Sequence, residues 1–240
     1  MPKADIVLIL GSGPNALRAK DFPRAPFDAI VAINNAWQVR ADWNYLIHPE
    51  DFDPARMPRE VMPSQHVITA LDYVPAQNSY GGFVYAGGTM AFTAAYWALH
   101  ALRPKVMAFF GCDMIYPGKG PTHFYGTGEA DPLRQDVTLQ DLTAKSARLA
   151  MFAARDDCHC INLSKEVSRL VFPRTTPDDL MAVSGEPVPL DFTAARAAEA
   201  REAELAYMVS SGRYWDQQDS FDASALSGLD SLWLSAYRAA

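Results

Sequence analysis

Cysteine is scarce in this sequence, with three residues in a chain of 240: Cys112, Cys158 and Cys160. An odd number cannot form a closed set of disulfides, and Cys158 and Cys160 are too close in sequence for an ordinary bridge. His159 between them raises the question of a metal site, but these residues lie in an apolar run and a closed zinc site takes four ligands. We therefore expect reduced core thiols and no metal site.

Excess positive charge and long apolar runs are also lacking. The 21 Lys and Arg residues are outnumbered by 28 Asp and Glu, for a net charge of −7. The basic residues are scattered, so no surface for a nucleic-acid partner is predicted. No apolar run approaches the roughly 20 residues of a membrane span, and residues 1–5 lack the features of a secretory signal. We expect a cytoplasmic protein with no membrane span.

The apolar residues are arranged instead in short runs. They make up 49% of the chain and charged residues 20%, which is typical of a folded domain. Short runs rich in Val, Ile and Leu and bounded by turns are the pattern of strands buried on both faces of a parallel sheet. The predicted strands are residues 5–10, 29–33, 43–47, 66–69, 106–110 and 159–163, with 81–86 a weaker candidate.

Helical patterns lie between several of these runs. The clearest covers residues 89–102, where Thr89 is placed to cap the N-terminus and an apolar face follows; a second covers residues 139–154. Strands that alternate with helices predict an α/β fold with a Rossmann-like, doubly wound and mostly parallel sheet. In such folds ligands bind beyond the carboxyl ends of the strands.

The amino-acid composition changes after residue 172, where a polar stretch contains several prolines. We divide the chain into an α/β nucleotide-binding domain, residues 1–172, and a helical C-terminal appendage, residues 173–240. Helices are predicted over 194–209 and 226–237. The appendage is expected to pack on the core, to cover the site or to form a homo-oligomer contact.

The first predicted strand ends in the loop Gly11-Ser12-Gly13-Pro14. Glycine allows the backbone to approach a ligand closely, and proline is well suited to the first position of a helix. Free amides and the dipole at a helix N-terminus both favour an anion. The loop is therefore predicted to bind a phosphate or nucleotide, although a tight turn with nothing bound would use the same residues.

The loop continues to Ala16 and so also fits the dinucleotide pattern G-x-G-x-x-G/A. The second strand, however, ends in Asn34-Asn35, where that pattern expects an acidic residue for the ribose. This disfavours a nicotinamide cofactor, and no Lys-Ser/Thr pair follows the loop to make it a Walker motif. Further residues at strand ends or a helix start are candidate nucleotide contacts, each with a purely structural alternative: Asn34, Asn35, His48, Gly87, Gly88 and Thr89.

The segment after residue 110 carries the candidate catalytic residues. Asp113 and Tyr116 follow the strand directly, and His123 and Tyr125 lie in the loop beyond. Tyrosine hydroxyls can donate to phosphate oxygens without carrying charge, and histidine transfers protons near neutral pH. Asp113 could orient a hydroxyl, bind a cation or cap a turn.

The order of these motifs resembles a known family. Gly-x-Gly-Pro, Asn after the second strand, Gly87-Gly88-Thr89 at a helix start, Gly-x-Asp-x-x-Tyr over 111–116 and His-aromatic-x-Gly over 123–126 are similar to motifs of the bacterial lipooligosaccharide sialyltransferases. The same order resembles a broader group that contains 6-hydroxymethylpterin diphosphokinase-like proteins. The resemblance spans about residues 5–163 as an order of motifs, with little identity between them.

This resemblance implies a Rossmann-like glycosyltransferase that binds CMP-sialic acid without a metal. It implies that Tyr116 lies near the leaving phosphate and that His123 begins the loop His-Tyr-x-Gly-His, whose final His is the family's base. The residues that it implies contact the nucleotide are Gly11, Ser12, Gly13, Asn34, Gly87 and Gly88. Thr127 stands in place of the final His, and His48 in place of a family Asn. Either His123 takes the proton-transfer role, or the enzyme does different chemistry, or the scaffold is retained without sialyl transfer, and we do not predict sialic acid as the sugar.

The predicted function is metal-independent transfer of a group, with inversion, from a nucleotide-sugar donor to a hydroxyl of a glycan or other acceptor, with no further cofactor. Backbone amides and Tyr116 would stabilise the leaving phosphate while His123 deprotonates the acceptor. Two alternatives stay open. One is a pterin-type diphosphokinase with Mg²⁺ held by Asp113 and Asp131, and the other is a non-catalytic protein that binds a nucleotide or a partner chain.

Overall fold

The structure is a computed structural model that describes residues 4–116, 120–126, 136–186 and 190–240. Its centre is a parallel sheet with the strand order β4-β3-β2-β1-β5-β6. The strands are β1 Ile6–Leu10, β2 Ala29–Ile33, β3 Tyr45–Ile47, β4 His66–Ile68, β5 Val106–Phe110 and β6 His159–Asn162. The predicted parallel α/β sheet and its six main strands are confirmed, with slightly shorter ends.

The burial of the central strand β1 explains why the strands are continuous runs of apolar residues. Its residues are all buried, because neighbouring strands pair with both edges and both faces are covered. Val7 and Ile9 contribute to the core on the side of the long helices. Leu8 and Leu10 contribute to a second core, which includes Ala16 from the loop region after β1. A polar residue on either face of this strand would therefore be buried.

The α-helices lie between and after the strands. They are α1 Ala70–Asn78, α2 Phe83–Ala86, α3 Met90–Leu102, α4 Leu142–Arg155, α5 Leu180–Val183, α6 Arg196–Leu205 and α7 Ala223–Ala239. The predicted cap of α3 is confirmed, since the Thr89 hydroxyl accepts from the Phe92 amide at 3.4 Å. Within the described ranges, none of the helices combines the length and the apolar character that a bilayer crossing needs.

The weak strand predicted over residues 81–86 is wrong. Gly81 and Gly82 have φ of +89° and +85°, a conformation that turns the chain sharply and is foreign to a strand. The turn ends α1 and leads into α2, a helix of one turn whose residues are all buried. An apolar run of this length does not distinguish a buried strand from a buried short helix, which is why the sequence pattern misled.

The C-terminal helices are joined to the core by a buried ion pair between α4 and α6. The Arg148 guanidinium donates to both carboxylate oxygens of Glu202 at 2.7 Å. It also donates to the Tyr96 hydroxyl at 2.7 Å and to the Tyr80 carbonyl. Trp233 of α7 donates its indole N–H to the same carboxylate at 2.7 Å. Arg148 and Glu202 therefore connect α3, α4, α6 and α7 through one buried charge cluster.

A second buried pair repeats this arrangement. Lys145 of α4 donates to Asp230 of α7 at 2.7 Å, and both side chains are almost completely buried. Burial raises the pKa of Asp230 and the Lys145 ammonium opposes that rise. The core helix α4 thus supplies two buried cations, and the C-terminal helices supply the two anions that compensate them. Removing either partner alone would leave an uncompensated charge in the interior.

We expect Glu202→Gln to lower the free energy of unfolding by about 3 kcal/mol, because it leaves the buried Arg148 charge without its anion. Urea unfolding measures the loss. Glu199→Gln is the matched control on the same helix: its pair with Arg155, at 3.0 Å, is partly exposed and should contribute less than about 1 kcal/mol. Equal losses in the two variants would contradict the assignment.

Candidate functional site

A cavity of about 1440 Å³ lies beyond the carboxyl ends of the strands. Its walls come from the loops after β1, β2, β3, β5 and β6, the first turn of α3 and residues 211–218. The chain builds the sheet outwards from β1 to β4 on one side and through β5 to β6 on the other. The strand order therefore reverses between β1 and β5, which is where parallel α/β sheets bind their ligands.

The base of the cavity is a close contact between the loops after β1 and β5. The amides of Gly11 and Gly13 donate to the carbonyls of Phe110 and Gly111, both at 2.8 Å. A Cβ at Gly11 would lie 2.3 Å from the Gly111 carbonyl oxygen, far inside any permitted contact. These glycines are thus required for packing, and the expectation that their amides are free for a phosphate is wrong. The helix after Pro14 is a 3₁₀ helix, Pro14–Asp21.

The two asparagines after β2 have different surroundings. Asn34 lines the cavity, has a φ of +52°, and its Oδ1 is buried without a hydrogen-bond donor among the described residues. Asn35 is buried outside the cavity lining, and its side chain pairs weakly with Gln38 at 3.4 Å. His48 is also outside the lining, where its Nδ1 lies 2.8 Å from the Pro49 carbonyl. Of these predicted contacts, only Asn34 lines the cavity.

The glycines before α3 also differ. Gly88 and Thr89 line the cavity, whereas Gly87 does not and instead packs against Phe92 and Lys145. The Gly88 amide donates to the Thr138 hydroxyl at 3.0 Å. The first residues of α3 face the cavity, so the unpaired amides of its first turn and the positive end of its dipole point towards any bound anion.

Asp113 joins three of the loops that form the cavity. Its Oδ2 accepts from Asn15 Nδ2 at 2.9 Å and from the Ser164 hydroxyl at 2.7 Å. Asn15 follows β1, Asp113 follows β5 and Ser164 follows β6, so the carboxylate holds these loops together. Asn15 and Ser164 were not predicted; Asn15 adjoins the glycine loop, but no sequence signal marks Ser164. Asp131, the other predicted Mg²⁺ ligand, lies outside the described residues.

His123 lies in a short hairpin that crosses the β1 loop. His123 and Gly126 exchange backbone hydrogen bonds of 3.0 and 3.1 Å, and the Phe124 amide donates to the Ser12 carbonyl at 3.0 Å. The imidazole lines the cavity, with Nδ1 2.9 Å from the Thr122 hydroxyl. It stacks on the ring of Tyr125 at 5.0 Å. Partial burial lowers the pKa of His123, which favours the neutral imidazole.

Of the two predicted tyrosines, only Tyr116 lines the cavity. Tyr116 lines the cavity, and burial raises its pKa to about 12, so its hydroxyl is a neutral donor at physiological pH. Tyr125 is absent from the cavity lining, and its ring stacks on the ring of His123. Thr127, which stands in place of the family histidine, lies outside the described residues.

Residues 211–218 form one wall of the cavity, and none of them was predicted from the sequence to be a site residue. Tyr214 is buried, and its hydroxyl donates to Asp136 at 2.8 Å. A Cβ on Gly88 would lie 2.5 Å from the Tyr214 hydroxyl, so this wall packs directly on the start of α3. Arg213 and Trp215 also line the cavity, and the Arg213 guanidinium lies over the Trp215 ring, 5.6 Å from its centroid. The sequence pattern predicted only that the appendage packs on the core, covers the site or makes an oligomer contact.

The electrostatic character of the cavity is mixed. The first turn of α3 favours anions, as do Arg18 and Arg213, although Arg18 pairs with Glu166 at 3.6 Å and Arg213 with Asp216 at 2.9 Å. The carboxylates that line the cavity do not: Glu50, Asp51, Asp113, Asp136 and Glu166. Among the described residues, no three His, Cys, Asp or Glu side chains are grouped closely enough to hold a metal ion. The arrangement can hold an anionic group near α3 and offers a neutral imidazole for proton transfer.

The chain matches no known family model, no curated protein and no solved structure.

We expect Gly11→Ala to prevent folding or to lower the free energy of unfolding by more than about 3 kcal/mol, because the new methyl group would meet backbone that cannot move aside. Circular dichroism during thermal unfolding measures this. Gly228→Ala is the control, since nothing lies within 4 Å of a Cβ there and alanine should stabilise α7 by about 0.5–1 kcal/mol. A fully stable Gly11→Ala protein would refute the contact.

Proposed function

We propose that this protein is a glycosyltransferase-like enzyme that transfers a group from a nucleotide-linked donor to an acceptor hydroxyl without a metal. The observation that carries the proposal is that His123, the first turn of α3 and Tyr116 line the same cavity, at the point where the strand order reverses. A base and two groups that favour an anion are the minimum set for this reaction.

The proposed base is His123. A general base must be unprotonated at the working pH and held in a fixed orientation. Partial burial keeps the imidazole neutral, and contacts with the Thr122 hydroxyl and the Tyr125 ring restrict its rotation. With Nδ1 beside Thr122, Nε2 is the nitrogen that would accept the proton of the acceptor hydroxyl.

The proposed site for the leaving phosphate lies between Tyr116 and the first turn of α3. As the bond to the donor breaks, negative charge grows on the phosphate, and donors already in place stabilise it without reorganisation. Tyr116 is a suitable donor because its raised pKa keeps the proton on the oxygen. The unpaired amides of the helix terminus would add to this stabilisation.

Asn34 is the proposed contact for the donor's nucleotide. A left-handed backbone costs a non-glycine residue free energy, and a buried amide oxygen without a donor costs about 1–3 kcal/mol more. Asn34 has both features at the edge of the cavity. A ligand that brings an O–H or N–H group to this oxygen would offset the second cost, which supports a binding role for the side chain.

We expect His123→Ala to reduce turnover of the nucleotide-sugar donor by about 10²–10⁴-fold, because proton transfer from the acceptor is lost, while nucleotide affinity stays within a few fold. Release of the free nucleotide in a coupled assay measures turnover. His100→Gln serves as control, since His100 is exposed in the last turn of α3. Unchanged turnover in His123→Ala would show that His123 is not the general base.

The pH profile provides a separate prediction. A base acts when it is unprotonated, so the rate should rise with pH through the pKa of His123 and then stay level. Because burial lowers that pKa, the rise should lie below the ordinary histidine value of about 6.5, with full activity at pH 7. A rise centred above pH 7 would point to another base.

Asn34→Gly separates the backbone role of this residue from its binding role. Glycine adopts a positive φ freely, so stability should change by less than about 1 kcal/mol, while affinity for CMP or another bound nucleotide should fall about tenfold as the amide is lost. Calorimetric titration measures the affinity. Arg103→Gly is the matched control, because Arg103 has a φ of +49° at the end of α3 and lies outside the cavity lining. Equal affinities in the Asn34→Gly and unmodified proteins would contradict the contact.

A further inference from the structure

Trp215 is an exposed aromatic ring held in a fixed position at the mouth of the cavity. Its side chain is 51% exposed, yet the residues on both sides are anchored. Tyr214 is buried and bonded to Asp136 at 2.8 Å, and Arg213 pairs with Asp216 at 2.9 Å while its guanidinium lies 5.6 Å from the Trp215 ring centroid. The Tyr214 ring lies 5.4 Å from the indole between ring centroids, so Tyr214 and Arg213 position the exposed ring at the cavity.

The cavity continues past this ring. A second depression of about 430 Å³ adjoins it, and Trp215 and Gln218 line both. The 3₁₀ segment Tyr214–Ser220 forms the depression, and non-helical dihedral angles at Gln217 (φ −127°, ψ 20°) bend it there. The two adjoining spaces, which share Trp215 and Gln218, are called the groove below.

The chemistry of the outer groove suits a sugar ring. Its lining adds carboxylates, side-chain amides and a hydroxyl to the indole: Asp216, Gln217, Gln218, Asp219 and Ser220. Carboxylate and amide oxygens accept hydrogen bonds from hydroxyl groups, and an aromatic face packs against the C–H face of a pyranose.

The charges of the outer groove disfavour an acidic ligand. Asp216 and Asp219 line the outer depression. Arg213 lies over the Trp215 ring, but its charge is compensated by Asp216 at 2.9 Å. Because Asp219 remains and carboxylates repel an anion, the outer groove favours a neutral or amine-bearing molecule over an acidic one.

We propose that the groove over Trp215 binds an oligosaccharide acceptor, with one sugar ring stacked on the indole and the next ring directed towards His123. This rests on the proposed function for the identity of the reaction, but binding of the sugar chain requires no nucleotide. The acceptor class is a neutral or amine-bearing oligosaccharide rather than an acidic one.

The test is a glycan array that carries neutral, amine-bearing and acidic oligosaccharides, probed with the biotinylated full chain bound to streptavidin so that weak contacts add through multivalency. We expect the hits to be neutral or amine-bearing glycans. Trp215→Ala should weaken these signals at least about tenfold and Trp215→Phe much less, because phenylalanine keeps an aromatic face. The matched control is Met181→Ala, at a side chain 63% exposed on α5, which should bind as the unmodified chain does.

Absence of any hit, hits confined to acidic glycans, or signals that Trp215→Ala leaves unchanged would each overturn the proposal. Thermal unfolding of the variants checks that they fold, as expected for an exposed position. Nucleotide binding, measured in parallel, should be unaffected in Trp215→Ala. If the protein binds glycans and no nucleotide, the proposed reaction is refuted and the proposed sugar-binding groove is not. Failure of the proposed reaction and failure of the sugar-binding proposal therefore give different results.

Discussion

The buried charge of Arg148 has to be compensated wherever α4 packs, and the C-terminal helices supply the compensation. Glu202 binds the guanidinium through two hydrogen bonds of 2.7 Å, and Trp233 donates to the same carboxylate. Burying either charge alone would cost several kcal/mol. The packing of α6 against α4 therefore depends on both charges being present. The segment between α6 and α7 carries Tyr214 and Trp215, and an ion pair outside the cavity lining therefore positions one wall of the cavity.

The opposite side of the cavity depends on backbone contact instead of charge. Gly11 and Gly111 bring the loops after β1 and β5 within hydrogen-bonding distance, and Asp113 extends this connection to the loop after β6. The resulting rigid base lies where the strand order reverses, while His123 reaches over it from a hairpin. A catalytic group held by a rigid scaffold at this place is the arrangement on which the proposed transfer reaction depends.

The sheet could be predicted from sequence because strands buried on both faces produce short apolar runs that few other structures require. The site was only partly predictable. Position at or after a strand end identified Asn34, Tyr116 and His123 as cavity residues, but the same reasoning included Asn35 and His48, which do not line the cavity. Strand ends indicate an edge of the sheet and not the direction of a side chain. Ser164 and Trp215 could not be predicted, since the chain brings Ser164 to Asp113 and Trp215 to the cavity only in the folded structure.

The most direct measurement of the central claim is a thermal-shift screen of the unmodified chain against CMP, CDP, UDP, GDP, ATP and NAD, each with and without Mg²⁺. A ligand that binds only the folded state stabilises it, by about 2.7 kcal/mol at a concentration one hundred times the dissociation constant. The expected result is a rise in Tm with a sugar-carrier nucleotide in the absence of Mg²⁺. A rise with ATP alone and only in the presence of Mg²⁺, or no rise with any nucleotide, would contradict it.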